Sequence, residues 1–330
     1  MLGTHLLMDL TRTHERVRAI HRPLTDPIPV RDAFHLINGD SDPQYSKIEW
    51  IPADVTDAES LLEALEGVDK VYHAAATVAV GPGDHSDLMQ NNVGGTANLV
   101  NACLEKQVQK LCFVSSTAAL GSTVTGEEIT EDMPWTRSRS SSAYSVSKFN
   151  SEMEVWRGIA EGLNAVIVNP STIIGAGNWE RSSAYLFKAV WKGLRFYPGG
   201  GTGFVDVRDV VRAMTGLMEG NFQGERFSVS SENLTYRQVL GMIAHELGRK
   251  PPRFQATPFL TAVAWRGDWL LSSLTGKKRT ITRDMARSGK NRSLFSNRKI
   301  CDALGMEFIP VEESIRETAG LFLKSRSSSS

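Results

Sequence analysis

An α/β fold built on a doubly wound parallel sheet is what this sequence predicts, and three observations carry it. Short apolar runs alternate with longer amphipathic ones through the first two thirds of the chain. The short runs are mostly apolar throughout instead of alternating, as expected of strands covered by helices on both faces. With 330 residues, 41% of them hydrophobic, the chain suits one large domain or two closely joined ones with a sizeable core.

The elements follow in order. MLGTHLLMDL at the start reads as a helix entered just after a glycine, Gly3. RVRAIHR (16–22) is a strand. The stretch from Pro23 to Ser46, with its Pro, Asp, Gly and Ser, reads as a surface excursion and not as a domain boundary. KIEWIPADV (47–55) is the next strand, and DAESLLEALEG, with apolar residues at helical spacing, the next helix. DKVYHAAA (69–76) precedes the helical DLMQNNVGGTANLVNACLEKQ, and KLCFVSSTAAL (110–120) precedes the long helix SAYSVSKFNSEMEVWRGIAEG. NAVIVNPSTIIG (164–175) is one further buried strand. Strand–helix alternation with right-handed crossovers gives a Rossmann-like sheet.

From about Asn178 the pattern changes. A helical WERSSAYLFKAVWKGLRF is followed by glycine-rich YPGGGTGFVDVRDVVRAM, by the strand GERFSVSS, and by mainly helical sequence. This reads as a smaller C-terminal lobe over 178–324, with one return to the sheet at GFVDVRDVV near 203–218. Residues 325–330, in the run KSRSSSS, read as a disordered tail.

Charge and cysteine usage narrow the function classes. With 37 basic and 37 acidic residues, the chain lacks the basic excess of nucleic-acid binders. Cys103, Cys112 and Cys301 are scattered, with no pair at metal-ligand spacing, so no metal site and a reduced, cytoplasmic setting are expected. Asp9, Arg12, His14, Glu15 and Arg16 come too early for a signal peptide. PFLTAVAWRGDWLLSSL (258–274) is broken by Arg266 and Asp268 and falls short of the roughly 20 apolar residues of a membrane span. It reads as a buried or substrate-covering helix.

The chemistry-bearing feature is YSVSK. Tyr144 and Lys148, four apart on a helix, share one face. A free phenol ionises near pH 10, and a neighbouring ammonium favours the phenolate at about 1.4 kcal/mol per pKa unit. Such a pair can do general acid or base work, whereas alone it is most often a solvated helix face. Upstream, the apolar strand in FVSSTAALG ends in Ser115, Ser116 and Thr117. Ligands of open α/β sheets sit at the carboxyl ends of strands, where a hydroxyl could hold a substrate carbonyl; the plainer role is capping the next turn.

With these residues in place the chain resembles the extended short-chain dehydrogenase/reductase superfamily. That group includes NAD-dependent epimerases/dehydratases and dihydroflavonol-reductase-like enzymes. The resemblance covers nearly the whole chain and rests on ordered motifs. PADVTD puts Asp54, followed by Val55, where the family contacts adenine. VYHAAA gives Ala74, Ala75 and Ala76 at the wall beside the cofactor, with His73 in a local hydrogen-bonding role. NNVGGTANL places Asn92 at the family's structural asparagine. VSSTAALG supplies Ser115 and the substrate-orienting Ser116, and YSVSK supplies Tyr144 and Lys148. NPSTIIGAG carries Pro170 and Ser171 near the nicotinamide, and GFVDVRDVV the later signature with Asp206 and Asp209.

The resemblance implies a dinucleotide-binding domain over 1–177 and a substrate lobe over 178–324. It implies that Tyr144 is the general acid/base and that Lys148 lowers its pKa and bonds the nicotinamide ribose. Ser116 then orients the substrate oxygen while the cofactor carries the hydride. Family members often dimerise through the helix bearing Tyr-x-x-x-Lys, so a homodimer is expected by analogy.

The cofactor is expected to be NADP, with NAD as the alternative. NAD binders usually place a carboxylate after the second strand of the motif; here the strand ends in His21-Arg22. A guanidinium suits a 2′-phosphate through charge-assisted bonds, although an arginine here could also simply face water.

The segment after NPSTIIGAG is aromatic, with Trp179, Tyr185, Phe187, Trp191, Phe196 and Tyr197. It favours a small, partly hydrophobic carbonyl or hydroxyl substrate, unless most of these rings are the core of the lobe. The expected function is thus an NAD(P)-dependent oxidoreductase. A nucleotide-sugar epimerase or dehydratase is one alternative, and a non-catalytic nucleotide-binding regulator the other.

The opening stretch acquires a meaning from the same resemblance. The family's fingerprint is a strand followed by Gly-x-x-Gly-x-x-Gly, of which Gly3 matches the last glycine and Met1 a variable position. A chain begun at an internal methionine is the expectation. Such a chain would bind cofactor less well than one extended by about 12 residues.

Overall fold

The computed structural model describes residues 1–14, 16–23, 25–39, 43–78, 85–123, 126–137, 141–256 and 292–327. Helix α1 (Leu2–Thr13) buries Leu6, Met8 and Leu10 and leads to β1 (Val17–His21). Helix α2 (Ile28–Asn38) and strand β2 (Ile48–Pro52) follow. Asp57 caps α3 (Ala58–Ala64) by accepting from the Glu59 and Ser60 N–H groups. After β3 (Lys70–His73), α4 (His85–Leu88) runs through a π-helical turn, Met89–Gly94, into α5 (Gly95–Glu105). Next come β4 (Lys110–Val114), the short β5 (Glu128–Ile129) and α6 (Ala143–Ala160).

Strands β6 (Ala165–Pro170) and β7 (Thr172–Ile174) precede α7 (Tyr185–Trp191), β8 (Phe196–Tyr197) and β9 (Gly201–Asp206). The chain continues with α8 (Val207–Glu219), β10 (Glu225–Val229), β11 (Glu232–Thr235) and α9 (Tyr236–Glu246). Strands β12 (Phe254–Gln255) and β13 (Leu294–Phe295), then α10 (Arg298–Leu304) and α11 (Val311–Ser327), complete the described elements.

The central sheet has the order β10–β6–β4–β3, all parallel, with Phe113 opposite Ile167 and Phe227 opposite Val168. Every residue of β4 and β6 is buried, which is why neither strand alternates in sequence. On one face α1 and α8 pack Leu6, Leu10, Val210, Met214 and Leu217 against it. On the other, α3, α5 and α6 supply Leu61, Leu99, Val100, Cys103 and Val155. Strands β1 and β2 pair in parallel as a separate ribbon, Ala19 opposite Trp50.

Four expectations are corrected here. The segment 23–46 is more than a surface excursion, because it contains α2. Pro27 precedes the first turn, and Val30, Phe34 and Ile37 pack with Met8, Ile48 and Trp50. NPSTIIG is two strands: at Ser171 the chain donates its N–H to Val229 O at 3.0 Å, and β7 then joins a different sheet. The return near 203–218 likewise takes another form. There β9 pairs with β7 and β11, and it is β10 that completes the central sheet. Finally, α11 continues through Ser327. Its end is held by Lys324 Nζ donating to Leu36 O at 3.2 Å and by the Arg326 guanidinium, 5.7 Å from the Trp191 ring. Basic residues in a last helical turn also suit the helix dipole. The apolar stretch 258–274 and residues 328–330 lie outside the described residues.

The aromatic segment after β7 resolves mostly into core. Phe187, Trp179 and Trp191 gather around Phe322 of α11, the Trp179 and Phe322 centroids 5.1 Å apart. Tyr185 and Phe196 are exposed, at 39% and 45%.

Candidate active site

The carboxyl ends of the parallel strands lie along one edge, and the singled-out residues follow them in turn. Arg22 follows β1; Asp54 and Val55 follow β2; Ala74, Ala75 and Ala76 follow β3; Ser115 and Ser116 follow β4. Pro170 ends β6, with Ser171 next, and Gly3 lies in the first turn of α1.

Ser116 and Tyr144 come together at the centre of this edge. Ser116 caps the short 3₁₀ turn Thr117–Ala119, its Oγ accepting from the Ala118 N–H at 3.2 Å. Helix α6 starts beside it because Ser142 caps the helix, accepting from Ser145 N at 3.0 Å. That places Tyr144 in the first turn, beside Ser116, whose side chain acts on the ionisation of the phenol. Burial pushes the Tyr144 phenol above its ordinary pKa, and Ser116 acts against that shift.

Lys148 lies one turn further into α6 and is buried. Its ammonium donates to Val114 O at 2.7 Å and stands 4.8 Å from the Phe113 ring centroid. Burial pulls its pKa down to about 8, and Glu152 acts in the opposite direction. In this arrangement the ammonium donates to the β4 carbonyl, and burial dominates the ionisation of Tyr144.

Several side chains fix this group in place. Asn92, in the π-helical turn, accepts from Thr77 N at 2.7 Å and donates to Thr77 O at 2.9 Å and Ser147 Oγ at 3.1 Å. It thereby ties α6 to the loop after β3. Gly95 lets α5 approach that region, since a Cβ there would stand 2.7 Å from Val55 Cγ2. His73 is buried, with Nε2 3.1 Å from Thr96 Oγ1, and burial holds its pKa down to about 3. It is a neutral, locally bonded imidazole.

Sequence reasoning missed a second layer beneath the site. Glu152, Asn169 and Arg226 come from α6, β6 and β10 and form one buried hydrogen-bonded group. Only the Glu152 spacing from Lys148 is visible in sequence. Its partners lie 17 and 74 residues away.

At the far end of the edge, Arg22 Nε pairs with Asp54 Oδ2 at 3.3 Å, and Arg22 Nη2 donates to Asn91 Oδ1 at 3.0 Å. Asp54 also accepts from Thr56 N at 2.9 Å and Thr56 Oγ1 at 2.8 Å. The Thr56 backbone bond above all, with Arg22 adding to it, holds its carboxyl below the usual range. Arg22 is 54% exposed and so faces solvent as well as its partners.

These residues fit a nicotinamide dinucleotide laid along the edge. The first turn of α1 has no side-chain cap, and nothing lies within 4 Å of a Cβ built on Gly3. That leaves space and backbone donors of the kind a phosphate uses. Ser171 Oγ is buried without a hydrogen-bond partner among the described residues.

Known proteins resemble this chain over most of its length. The sequence profile of the NAD dependent epimerase/dehydratase family matches residues 1–230. Sterol demethylase protein B of Methylococcus capsulatus is 30% identical over 263 residues, 78% of this chain and 75% of that protein. Cinnamoyl-CoA reductase 1 of Oryza sativa is 26% identical over 326 residues, 96% of this chain and 86% of that one. Among solved structures, gox2253 superposes with a TM-score of 0.79 at 26% identity, covering 98% of this chain and 96% of that chain. The Streptomyces venezuelae dTDP-glucose 4,6-dehydratase DesIV, solved with NAD bound, gives 0.77 at 19% identity, covering 99% and 95%. The latter likeness is one of fold.

Proposed function

The chain belongs to the NAD-dependent epimerase/dehydratase family, and from that premise we propose that it reduces a carbonyl, or oxidises the matching hydroxyl, on a small substrate with an apolar body, using NADP in preference to NAD. That it is an NAD(P)-dependent enzyme of the extended short-chain dehydrogenase type follows from the family and its relatives. The observation that carries the finer reading is the Ser116–Tyr144 hydroxyl pair, with a buried Lys148 one turn beyond it.

In this reading Ser116 donates to the substrate oxygen and holds it within reach of Tyr144. The Tyr144 hydroxyl passes its proton to that oxygen in reduction and takes it back in oxidation. A bound nicotinamide supplies or receives the hydride. Lys148 contributes positive charge below the phenol, and the buried surroundings of α6 keep competing water from the proton path.

NADP is favoured by Arg22, which stands where NAD binders carry a carboxylate. Its pairing with Asp54 and Asn91 orients a guanidinium that is still half exposed, ready for a 2′-phosphate. The apolar body of the substrate is supported by relatives whose names refer to sterol, cinnamoyl-CoA and hydroxysteroid chemistry. A homodimer through α5 and α6, where Met153 is 39% exposed, is the assembly that goes with it.

The test is a panel of hydrophobic ketones, aldehydes and secondary alcohols beside nucleotide sugars. Each is assayed with NADPH and NADH, or with the oxidised cofactors for the alcohols. Turnover confined to the apolar compounds and faster with the phosphorylated cofactor is expected; turnover of nucleotide sugars alone overturns the reading.

A further inference from the structure

We propose that Glu152 is a positioning residue of this site: from within α6 it holds Asn169 against the backbone of Ser116, and it sets a negative charge one helical turn beyond Lys148. The inference rests on the Ser116–Tyr144–Lys148 reading above.

Glu152 is fully buried. Four residues beyond Lys148, it lies on the same face of α6, one turn on. A buried carboxylate is costly unless paired and hydrogen-bonded, and here both oxygens are engaged. Oε2 pairs with Arg226 Nη1 at 3.2 Å, and Oε1 accepts from Asn169 Nδ2. The same Nδ2 donates to Ser116 O at 3.0 Å. A carboxamide nitrogen carries two hydrogens in a fixed plane, so the Glu152 bond to one aims the other at Ser116. The Ser116 carbonyl also accepts from Ala119 N at 2.9 Å. The relay therefore ends on the turn whose hydroxyl meets Tyr144.

Arg226 fastens the other side. Its Nε donates to Glu131 O at 2.9 Å and its Nη2 to Met133 O at 3.4 Å, gripping the segment that leads to Trp135. Trp135 in turn stacks on Phe149 of α6, centroids 4.2 Å apart. The charged and titratable groups that act on Lys148 or are acted on by it are Glu152 on α6 and His73 on β3; the charged group paired with Glu152 is Arg226. The Glu131 carboxylate is turned away, accepting from Ser228 N at 2.7 Å. Glu152 is thus the anion whose charge acts on Lys148. Burial pushes the Glu152 carboxyl up, and the bonds from Asn169 and Arg226 act against that. A purely structural ion pair could be replaced by apolar residues at little cost. A pair that also aims Asn169 and balances Lys148 could not.

The test compares Glu152→Gln, which keeps the shape and removes the charge, with Asn169→Ala, which breaks the relay and keeps the charge. Because Glu152→Gln strands Arg226, a double variant, Glu152→Gln with Arg226→Met, removes both ions. Both Glu152 variants are expected to move the alkaline limb of turnover down by about one pH unit. Asn169→Ala is expected to leave the limb in place and slow the plateau by about tenfold or more. In the free protein it should also speed amide exchange at Ala119. An unmoved limb in both Glu152 variants, or unchanged exchange at Ala119 in Asn169→Ala, overturns the inference. Tyr144→Phe separates the two readings: turnover that survives it sinks the site assignment, whereas turnover lost with an unmoved Glu152 limb sinks this inference alone.

Discussion

Lys148 donates from its ammonium to the Val114 carbonyl at 2.7 Å, although Tyr144 stands one turn before it on the same helix. The lysine is thereby held by β4. With its pKa pulled down to about 8, it is the first group of the site to lose its proton as pH rises. Cofactor-dependent turnover should therefore fall on an alkaline limb near pH 8. Lys148→Ala leaves Tyr144, raised by burial, as the next group to titrate. The variant should turn over more slowly and its limb should move upward. A limb unchanged by Lys148→Ala would show that the lysine does not govern it.

The same shift links Lys148 to stability, and the sign is opposite to that of a paired surface lysine. Its folded pKa lies below the unfolded value of 10.5, so between about pH 8 and 10.5 the unfolded chain binds more protons. The Lys148 contribution to stability rises with pH across that window. Lys148→Met removes the buried charge and should be the more stable form at pH 7. Its advantage over the native chain, roughly 3 kcal/mol at most, should shrink as pH rises to 10. Denaturant melts of both forms at the two pH values check this, and an advantage that grows with pH contradicts it.

Arg22→Ala should weaken NADPH far more than NADH. Losing charge-assisted bonds to a phosphate costs about 1.5–3 kcal/mol, or about ten- to a hundredfold in affinity. Fluorescence titration with each cofactor reads the difference directly. Equal losses for both would mean that Arg22 serves only Asp54 and Asn91.

Phe187→Ala should cost about 3–5 kcal/mol of stability. The ring is fully buried against Trp179, in the cluster around Phe322. Because it is core and not pocket wall, cofactor affinity of the folded variant should stay within a few-fold of the native value. Melting with and without cofactor separates the two effects; a stable variant with altered substrate choice would reverse the assignment.

How much of this was legible in the sequence depends on the range of each interaction. The β4 and β6 strands were readable because both faces are buried, which leaves LCFV and AVIV with no polar residue to interrupt them. Tyr144 and Lys148 were readable because helical periodicity alone sets their shared face. Helix α2 was obscured by Pro, Asp and Gly at its ends, although Val30, Phe34 and Ile37 give it an apolar side. The break at Ser171 was hidden because the short polar stretch NPST joins two apolar runs without marking a change of sheet, and only pairing with β9 separates β7. Nothing local marks Arg226 as the partner of Glu152, since 74 residues separate them and the sheet alone brings them together. The direction of the Lys148 ammonium was likewise unreadable, because spacing gives a shared face and not which acceptor wins.

In the proposed reaction Tyr144, set against Ser116, is the proton donor and acceptor beside a nicotinamide cofactor. The most direct measurement of this role is turnover of the best carbonyl substrate by Tyr144→Phe, with cofactor affinity measured in parallel. The ring keeps its packing and loses only the hydroxyl. A fall of about 10²–10⁴-fold in turnover is expected, with cofactor binding nearly unchanged. A fall of less than about tenfold would contradict this role.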